Sequence, residues 1–247
     1  MAPQQGPDRP QADPKRPVSI TVFFPCYNEQ ASVRRVVEQA IGVLDKLEAD
    51  YEVLVVDDGS SDATGRIADE IAAAHGKVRA IHHPRNLGYG AALQSGFRNA
   101  TKELVFYTDG DGQFDVAELP PWLPLMAQYD IVSGYRMNRQ DNLVRKFNGW
   151  AWTKLVQLAF SLRVRDVDCA FKLYKRAIFD DIRMESTGAL ISTEILARAA
   201  RKGYTMTQRG VHHYPRTAGR QTGANPRVIL RAFRELLKLR RRILAEP

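Results

Sequence analysis

Tyr51-Glu52-Val53-Leu54-Val55-Val56-Asp57-Asp58-Gly59-Ser60-Ser61-Asp62 decides the fold class. Its first half is a short apolar run rich in β-formers, which reads as one buried strand. Its second half is an acidic turn, where Asp62 or Ser61 could cap a helix over Ala63–Ala74. The same order of strand, polar turn and helix precedes it. Val18–Phe24 is an apolar run closed by Pro25, and Ser32–Leu47 carries Val33, Val36, Val37, Ala40, Ile41 and Leu44 at helical spacing. The order recurs afterwards. Val78–His82 reads as a strand, Gly88–Ala100 as a helix, and Leu104–Thr108 as a strand ending in Asp109-Gly110-Asp111. Ala117–Gln128 reads as helical, with Pro120, Pro121 and Pro124 disturbing it, and Asp130–Ser133 as a fifth strand. This alternation predicts an α/β fold with a mostly parallel central sheet and helices on both faces. Ligands of such sheets sit beyond the carboxyl ends of the strands, near a topological switch point. Three polar clusters fall there: Cys26–Glu29, Asp57–Asp62 and Asp109–Gln113.

After Tyr135 the pattern changes. Asn142–Leu162 is a long helical stretch with Trp150, Trp152, Leu155, Val156, Leu158 and Phe160. Asp168–Tyr174 reads as a strand, Ile191–Lys202 as a helix and Met206–His213 as a strand. Thr217–Ala224 reads as a mobile loop. Pro226–Ala245 reads as a basic amphipathic helix with Ile229, Phe233, Leu236, Leu237 and Leu244 on one side. The expected division is a disordered, proline-rich leader over 1–17, a domain over 18–216, and a loop with the terminal helix over 217–247.

Composition bounds the function. A chain of 247 residues with 44% hydrophobic and 26% charged residues supports one sizeable core and excludes global disorder. The net charge of +8 points to an anionic partner. Nine basic and two acidic residues from Arg216 onward put nearly all of that excess in the tail. A nucleic-acid-binding module would spread its charge over a groove-reading face, so that reading is disfavoured. Two distant cysteines, Cys26 and Cys169, exclude a disulfide framework and a Cys-rich zinc module, and suit a reducing compartment. No run approaches the ~18 apolar residues of a membrane span. The start does not read as a signal peptide. The expected location is therefore cytoplasmic, peripheral on the inner face of a membrane.

The clusters carry chemistry. Asp109-Gly110-Asp111 sets two carboxylates around a glycine that lets the chain turn sharply. Two hard oxygen donors beside a diphosphate suit Mg²⁺ or Mn²⁺, and Gln113 could add a carbonyl oxygen. A plain Asp-Gly turn is the bland alternative. The Asp57–Asp62 carboxylates could accept from a base N–H or a ribose hydroxyl, or only cap a helix. Tyr27 offers a stacking face, and Asn28 and Glu29 offer hydrogen-bonding groups; Asn28 could equally be an N-cap and Tyr27 a core residue. Gly88-Tyr89-Gly90 lacks the third glycine of a dinucleotide fingerprint, and packing of its helix against the sheet accounts for it better. His82, His83, His212 and His213 have no zinc-like spacing with carboxylates.

Taken in order, Phe24-Pro25-Cys26-Tyr27-Asn28-Glu29, Val55-Val56-Asp57-Asp58-Gly59-Ser60-Ser61-Asp62, Asn86-Leu87-Gly88-Tyr89-Gly90 and Asp109-Gly110-Asp111-Gly112-Gln113 resemble the inverting family 2 glycosyltransferases with the GT-A fold. Within them the chain is similar to the dolichyl- or polyprenyl-phosphate mannose and glucose synthases. The resemblance implies that Pro25, Tyr27, Glu29 and Asp57 line a nucleoside pocket with Asp58 at its edge. It implies that Asp109, Asp111 and Gln113 hold a metal ion and the sugar diphosphate. Arg136, Arg145 and Lys172 become candidate phosphate contacts. Glu194 falls where the family carries an acidic residue. Arg216-Thr217-Ala218-Gly219 resembles a loop that closes over the diphosphate, with Arg216 as its cation. Gly110 and Gly112 depart from the Ala and Leu usual in mannose synthases, and Asp168-Cys169-Ala170-Phe171-Lys172 departs from the usual small-Gly-Phe-Arg pattern.

The implied reaction is metal-dependent, inverting transfer of a hexose from a nucleotide sugar of the GDP-mannose or UDP-glucose type to a polyprenyl-phosphate carrier. Asp111, Glu194 and Arg216 are its candidate catalytic residues. A phosphate acceptor, with its second pKa ~6, is already a nucleophile. A soluble hydroxyl acceptor is the alternative, and would need a base, for which Glu194 is the candidate. A helix glutamate paired with an arginine is the plain reading of Glu194. Trp150, Trp152 and the basic residues around them suit an interfacial helix on a membrane surface, and packing on the sheet is the alternative.

Overall fold

The computed structural model of the chain describes residues 17–137, 143–216 and 226–246, with side chains outside 143–148 and 226–233. The expected leader, apart from residue 17, and the expected loop over 217–224 lie outside the described residues. The elements are β1 (Ser19–Cys26), α1 (Val33–Lys46), β2 (Asp50–Asp57), α2 (Thr64–Ala74), β3 (Val78–His82), α3 (Tyr89–Asn99), β4 (Leu104–Thr108), β5 (Ile131–Met137), α4 (Leu143–Phe160), β6 (Phe171–Lys175), α5 (Ile178–Asp181), α6 (Ile191–Arg201), β7 (Met206–His212) and α7 (Pro226–Ala245).

Seven strands form one sheet in the order β3-β2-β1-β4-β6-β5-β7. Only β6 runs antiparallel to its neighbours β4 and β5. The α/β expectation therefore holds. The all-buried run Tyr51–Asp57 explains why β2 sits inside the sheet, covered on both faces. Phe23, Phe97, Tyr107, Tyr174 and Phe179 interlock beneath α3 at ring separations of 3.9–5.6 Å. A glycine at 96 is required there, because a Cβ would lie 2.3 Å from the Phe23 ring.

Three local expectations need correction. Ala117–Gln128 is not an α-helix. It consists of two 3-10 segments, Val116–Glu118 and Pro120–Ala127, since Pro120, Pro121 and Pro124 each lack the N–H that an α-helix would use. The strand read from Asp168 starts only at Phe171. In α7 the stripe on the core is Leu236, Leu239 and Ile243, while Leu237 and Leu244 are exposed. Ile229 and Phe233 lie outside the described side chains.

The topology fixes where a site can form. From β1 the chain builds outward through β2 to β3, then returns to place β4 on the other side of β1. β1, β2 and β4 are mutually parallel, so their carboxyl ends share one edge at a switch point. Cys26–Glu29, Asp57–Asp62 and Asp109–Gln113 all lie at those ends.

Candidate functional site

Backbone bonds bind the three strand ends together. Asp58 N donates to Cys26 O at 2.9 Å, and Gly110 N to Pro25 O at 3.3 Å. Ser32 Oγ, at the start of α1, donates to Gly110 O at 2.8 Å. Gly110 must be a glycine, because a Cβ would lie 2.4 Å from Cys26 Sγ. Gly110 and Cys26 thus share one tight contact. The buried Cys26 thiol is pushed well up by burial and by the surrounding carboxylates, so it stays protonated.

Asp109 and Asp111 stand at this edge. Burial, then the charge of Asp111, pushes the Asp109 carboxyl up to about 7. Two hard oxygen donors so placed fit Mg²⁺ or Mn²⁺ that takes its other ligands from a substrate. Among the described residues, no group of three His, Cys, Asp or Glu side chains forms a metal cluster. Tyr89, the first residue of α3, donates its hydroxyl to Asp109 Oδ1 at 3.0 Å. Gln113 is turned elsewhere: its side-chain amide donates to Tyr214 O at 3.0 Å, and its carbonyl accepts from Tyr214 N at 2.9 Å. It straps the segment before Arg216 to the acidic turn.

Arg216 pairs with Glu29 Oε1 and lies 3.8 Å from Asp111 Oδ2. It thereby sets one cation between two of the acidic groups. Burial raises the Glu29 carboxyl, and Arg216 offsets part of that rise. Asn28 adopts a left-handed conformation, with φ 57°. This lets its N–H reach Ser60 Oγ at 2.9 Å while its Oδ1 accepts from Ser61 N at 2.9 Å. The loop after β1 is thereby fastened to the loop after β2. Tyr27 is 47% exposed at the same edge.

Asp57 and Asp58 are each held by a histidine. Asp57 Oδ1 accepts from Ser60 N at 3.0 Å, and Oδ2 lies 3.1 Å from His82 Nδ1. Asp58 bonds His83 Nδ1 at 2.6 Å and accepts from Leu87 N and Gly88 N at 2.9 and 3.0 Å. Asp58 is buried and organises the start of α3. The sequence reading missed these histidines and Tyr89. The signal was the parallel pairing of β2 with β3, which sets Asp57 opposite His82. Burial lowers the His82 pKa, but bonds to Asp69 and Asp57 outweigh that and raise it. Its stabilising contribution is thus full below its unfolded value of about 6.5 and fades as pH rises through the folded one. The thermal midpoint gap between the wild type and His82→Gln is expected to be widest near pH 6 and to narrow by pH 8.

Two of the expected phosphate contacts already have partners within the protein. Arg136 is committed to Asp166, with Nε to Oδ2 at 2.7 Å and Nη2 to Oδ1 at 2.8 Å. Burial pushes the Asp166 carboxyl up, but the Arg136 bonds prevail and hold it below its usual range. Arg136→Ala, by stranding Asp166, is expected to cost on the order of 3 kcal/mol. In a melting experiment that is a midpoint lowered by roughly 6–12 °C. Lys172 is fully buried. It donates to the carbonyls of Val167 and Cys169, with its ammonium 5.8 Å from the Tyr107 ring centre. The side chain of Arg145 lies outside the described residues.

Glu194 is also not poised as a base. It is 0% exposed, and its oxygens accept from Glu185 N, Ser186 N and Arg198 Nε. His212 bonds Glu118 at 3.2 Å, and the His213 ring packs on Phe114. Around α4 and α7, Trp150, Leu158 and Leu237 are exposed at 58%, 83% and 58%, and Arg240 donates to Ala159 O. No helix among the described residues is long and apolar enough to cross a membrane.

The model of the family described as glycosyl transferase family 2 matches residues 21–183. An undecaprenyl-phosphate 4-deoxy-4-formamido-L-arabinose transferase of Aeromonas hydrophila is 35% identical over 163 residues, covering 65% of this chain and 50% of that protein. A dodecaprenyl-phosphate galacturonate synthase of Rhizobium johnstonii is 30% identical over 182 residues, covering 72% and 54%. The chain thus spans about half the length of the curated relatives it matches. The glucosyl-3-phosphoglycerate synthase of Mycobacterium tuberculosis, in complex with Mn²⁺, UDP-glucose and phosphoglyceric acid, superposes with a TM-score of 0.67 at 18% identity. That likeness covers 93% of this chain and 81% of the other, and it establishes the GT-A-like fold.

Proposed function

This chain belongs to glycosyl transferase family 2, and from that premise we propose that it transfers a hexose from a nucleotide sugar to an acceptor with inversion at the anomeric carbon. The catalytic unit we assign is 18–216, with α7 docked on it. The observation that carries the reading is the gathering of Asp109, Asp111, Glu29 and Arg216 at one sheet edge.

Mg²⁺ or Mn²⁺, when bound, supplies charge that stabilises the departing nucleoside diphosphate. Asp109 and Asp111 would hold it. Arg216, whose guanidinium fork suits phosphate oxygens, would exchange Glu29 and Asp111 for the diphosphate. That places a preorganised cation where negative charge grows. Tyr27 and Asp57 would receive the base and ribose of a GDP- or UDP-sugar.

For the acceptor, we place a soluble hydroxyl compound first. The solved synthase with 93% coverage of this chain carries phosphoglyceric acid. A polyprenyl phosphate at a membrane surface is the second reading. It is favoured by the names of the curated relatives, by exposed Trp150 and Leu158 beside cationic α7, and by the engagement of Glu194, since an ionised phosphate needs no base.

The test is nucleotide release from UDP- and GDP-sugars with Mg²⁺ or Mn²⁺, run alone, with 3-phosphoglycerate and with short-chain polyprenyl phosphate. Release that needs the soluble acceptor supports the first reading. Release that needs the lipid replaces it with the second. No release with any pair contradicts the transferase assignment.

A further inference from the structure

Glu194 and Arg198 are buried charges with no place in the proposed chemistry. Glu194 lies in α6, whose residues Ile191–Ala199 are all buried, so both charges must be balanced internally. The Glu194 carboxylate accepts from Ser186 N at 2.7 Å, from Glu185 N at 3.1 Å and from Arg198 Nε at 3.0 Å. Arg198 is 3% exposed and also binds the Glu246 carboxylate just beyond α7. Arg201 reinforces that junction by donating to Glu246 O at 3.0 Å. Arg242 of α7 lies 3.4 Å from Glu185 Oε2.

The turn that Glu194 holds is the seat of α3. Thr187 O accepts from Gly90 N at 2.8 Å and from Ala91 N at 3.3 Å. Ser186 O accepts from Gln94 Nε2 at 3.0 Å. The approach is so close that a Cβ on Gly90 would lie 2.3 Å from Ser186 O, and one on Gly88 2.6 Å from Thr187 O. The glycines of Gly88-Tyr89-Gly90 thus admit this turn, whereas Gly96 is the one that packs on the sheet. Between them, Tyr89 reaches Asp109.

We propose that Glu194 and Arg198 are positioning residues that tie the end of α7 to the acidic turn, through the 185–187 segment, the start of α3 and Tyr89 on Asp109. The inference rests on the family 2 reading for its consequence, which is that docking of α7 sets cation affinity at Asp109. Its structural half stands without that reading.

Both halves are tested with Glu246→Ala, a change at a half-exposed side chain that leaves Arg198 its bond to Glu194, together with Tyr89→Phe and Glu194→Gln. Amide hydrogen exchange of the full chain should speed up at 88–91 and 185–187 in Glu246→Ala. Mn²⁺ binding in the presence of UDP or GDP, followed by the EPR signal of free Mn²⁺, should weaken on the order of tenfold in Glu246→Ala and in Tyr89→Phe. Their double variant should be no weaker than Tyr89→Phe alone, because the two act in series. In turnover, Glu194→Gln should raise the Mn²⁺ requirement while the pH profile keeps its shape. Unchanged exchange at both segments overturns the relay whatever the chemistry is. Full additivity, or loss of the acidic limb of the Glu194→Gln profile with Mn²⁺ binding intact, overturns the positioning role. Failure of the wild type to bind Mn²⁺ with either nucleotide counts against the family 2 reading and against the consequence, and leaves the exchange result to decide the relay.

Discussion

Asp111→Asn is expected to remove sugar transfer, by at least about 100-fold in kcat, while the protein stays folded. The change keeps the shape of the turn, including an oxygen able to accept from Gln113 N, as Asp111 Oδ1 does at 3.0 Å. It removes one of two hard anionic donors from a site that has few. The companion variant Asp109→Asn sharpens the contrast. The Asp109 carboxyl is raised to about 7 by burial and by Asp111. As an acid with a raised folded value, it disfavours the native state once ionised, and this cost grows as pH rises from its unfolded pKa of about 4 towards 7. Asp109→Asn should therefore melt no lower than wild type at pH 8 and still lose activity. Stability given up for function is the expected pattern at a catalytic centre. Steady-state kinetics beside thermal melting measures both. A variant that turns over like wild type would remove the acidic turn from the site.

Arg216→Ala carries the second large effect. Arg216 bonds Glu29 and approaches Asp111. Without it Glu29 loses the partner that offsets the burial-driven rise of its carboxyl. Its carboxyl should then titrate higher than in wild type. In the proposed reaction the same guanidinium meets the departing diphosphate, so its loss should lower kcat by about 10²–10³. Arg216→Lys should recover only part, because an ammonium keeps the charge but loses the planar fork. Equal kcat in all three forms, with changes in melting alone, would make Arg216 a structural clamp.

Much of the fold was legible because its inner strands are plain. Val53–Val56 is apolar throughout, and such a run suits only a strand covered on both faces. The Asp109–Asp111 turn was legible for the same reason, since acidic residues after a buried strand must lie at its open end. Where the reading failed, the cause was burial of charge. Lys172 lies in a strand whose every other position is apolar or half-buried, and the sequence does not say that two backbone carbonyls wait for it. Arg136 needed knowledge of Asp166, thirty residues away. Glu194 was read either as a base or as a helix glutamate paired with an arginine, and the packing of α6 identifies that arginine as Arg198 and adds the 185–186 amides around it. His82 and His83 were judged by spacing along the chain, whereas their partners lie across a parallel strand pair.

The central claim is that Asp109, Asp111 and Arg216 together form a cation-dependent diphosphate site. Calorimetric titration of the wild-type protein with UDP and with GDP, at pH 7.5 with and without Mn²⁺, tests it most directly. One of the two nucleotides should bind, only weakly without the cation and at least about tenfold more tightly with it, and Asp111→Asn should erase that gain. Binding of equal strength with and without Mn²⁺, or a gain that survives Asp111→Asn, would contradict the account.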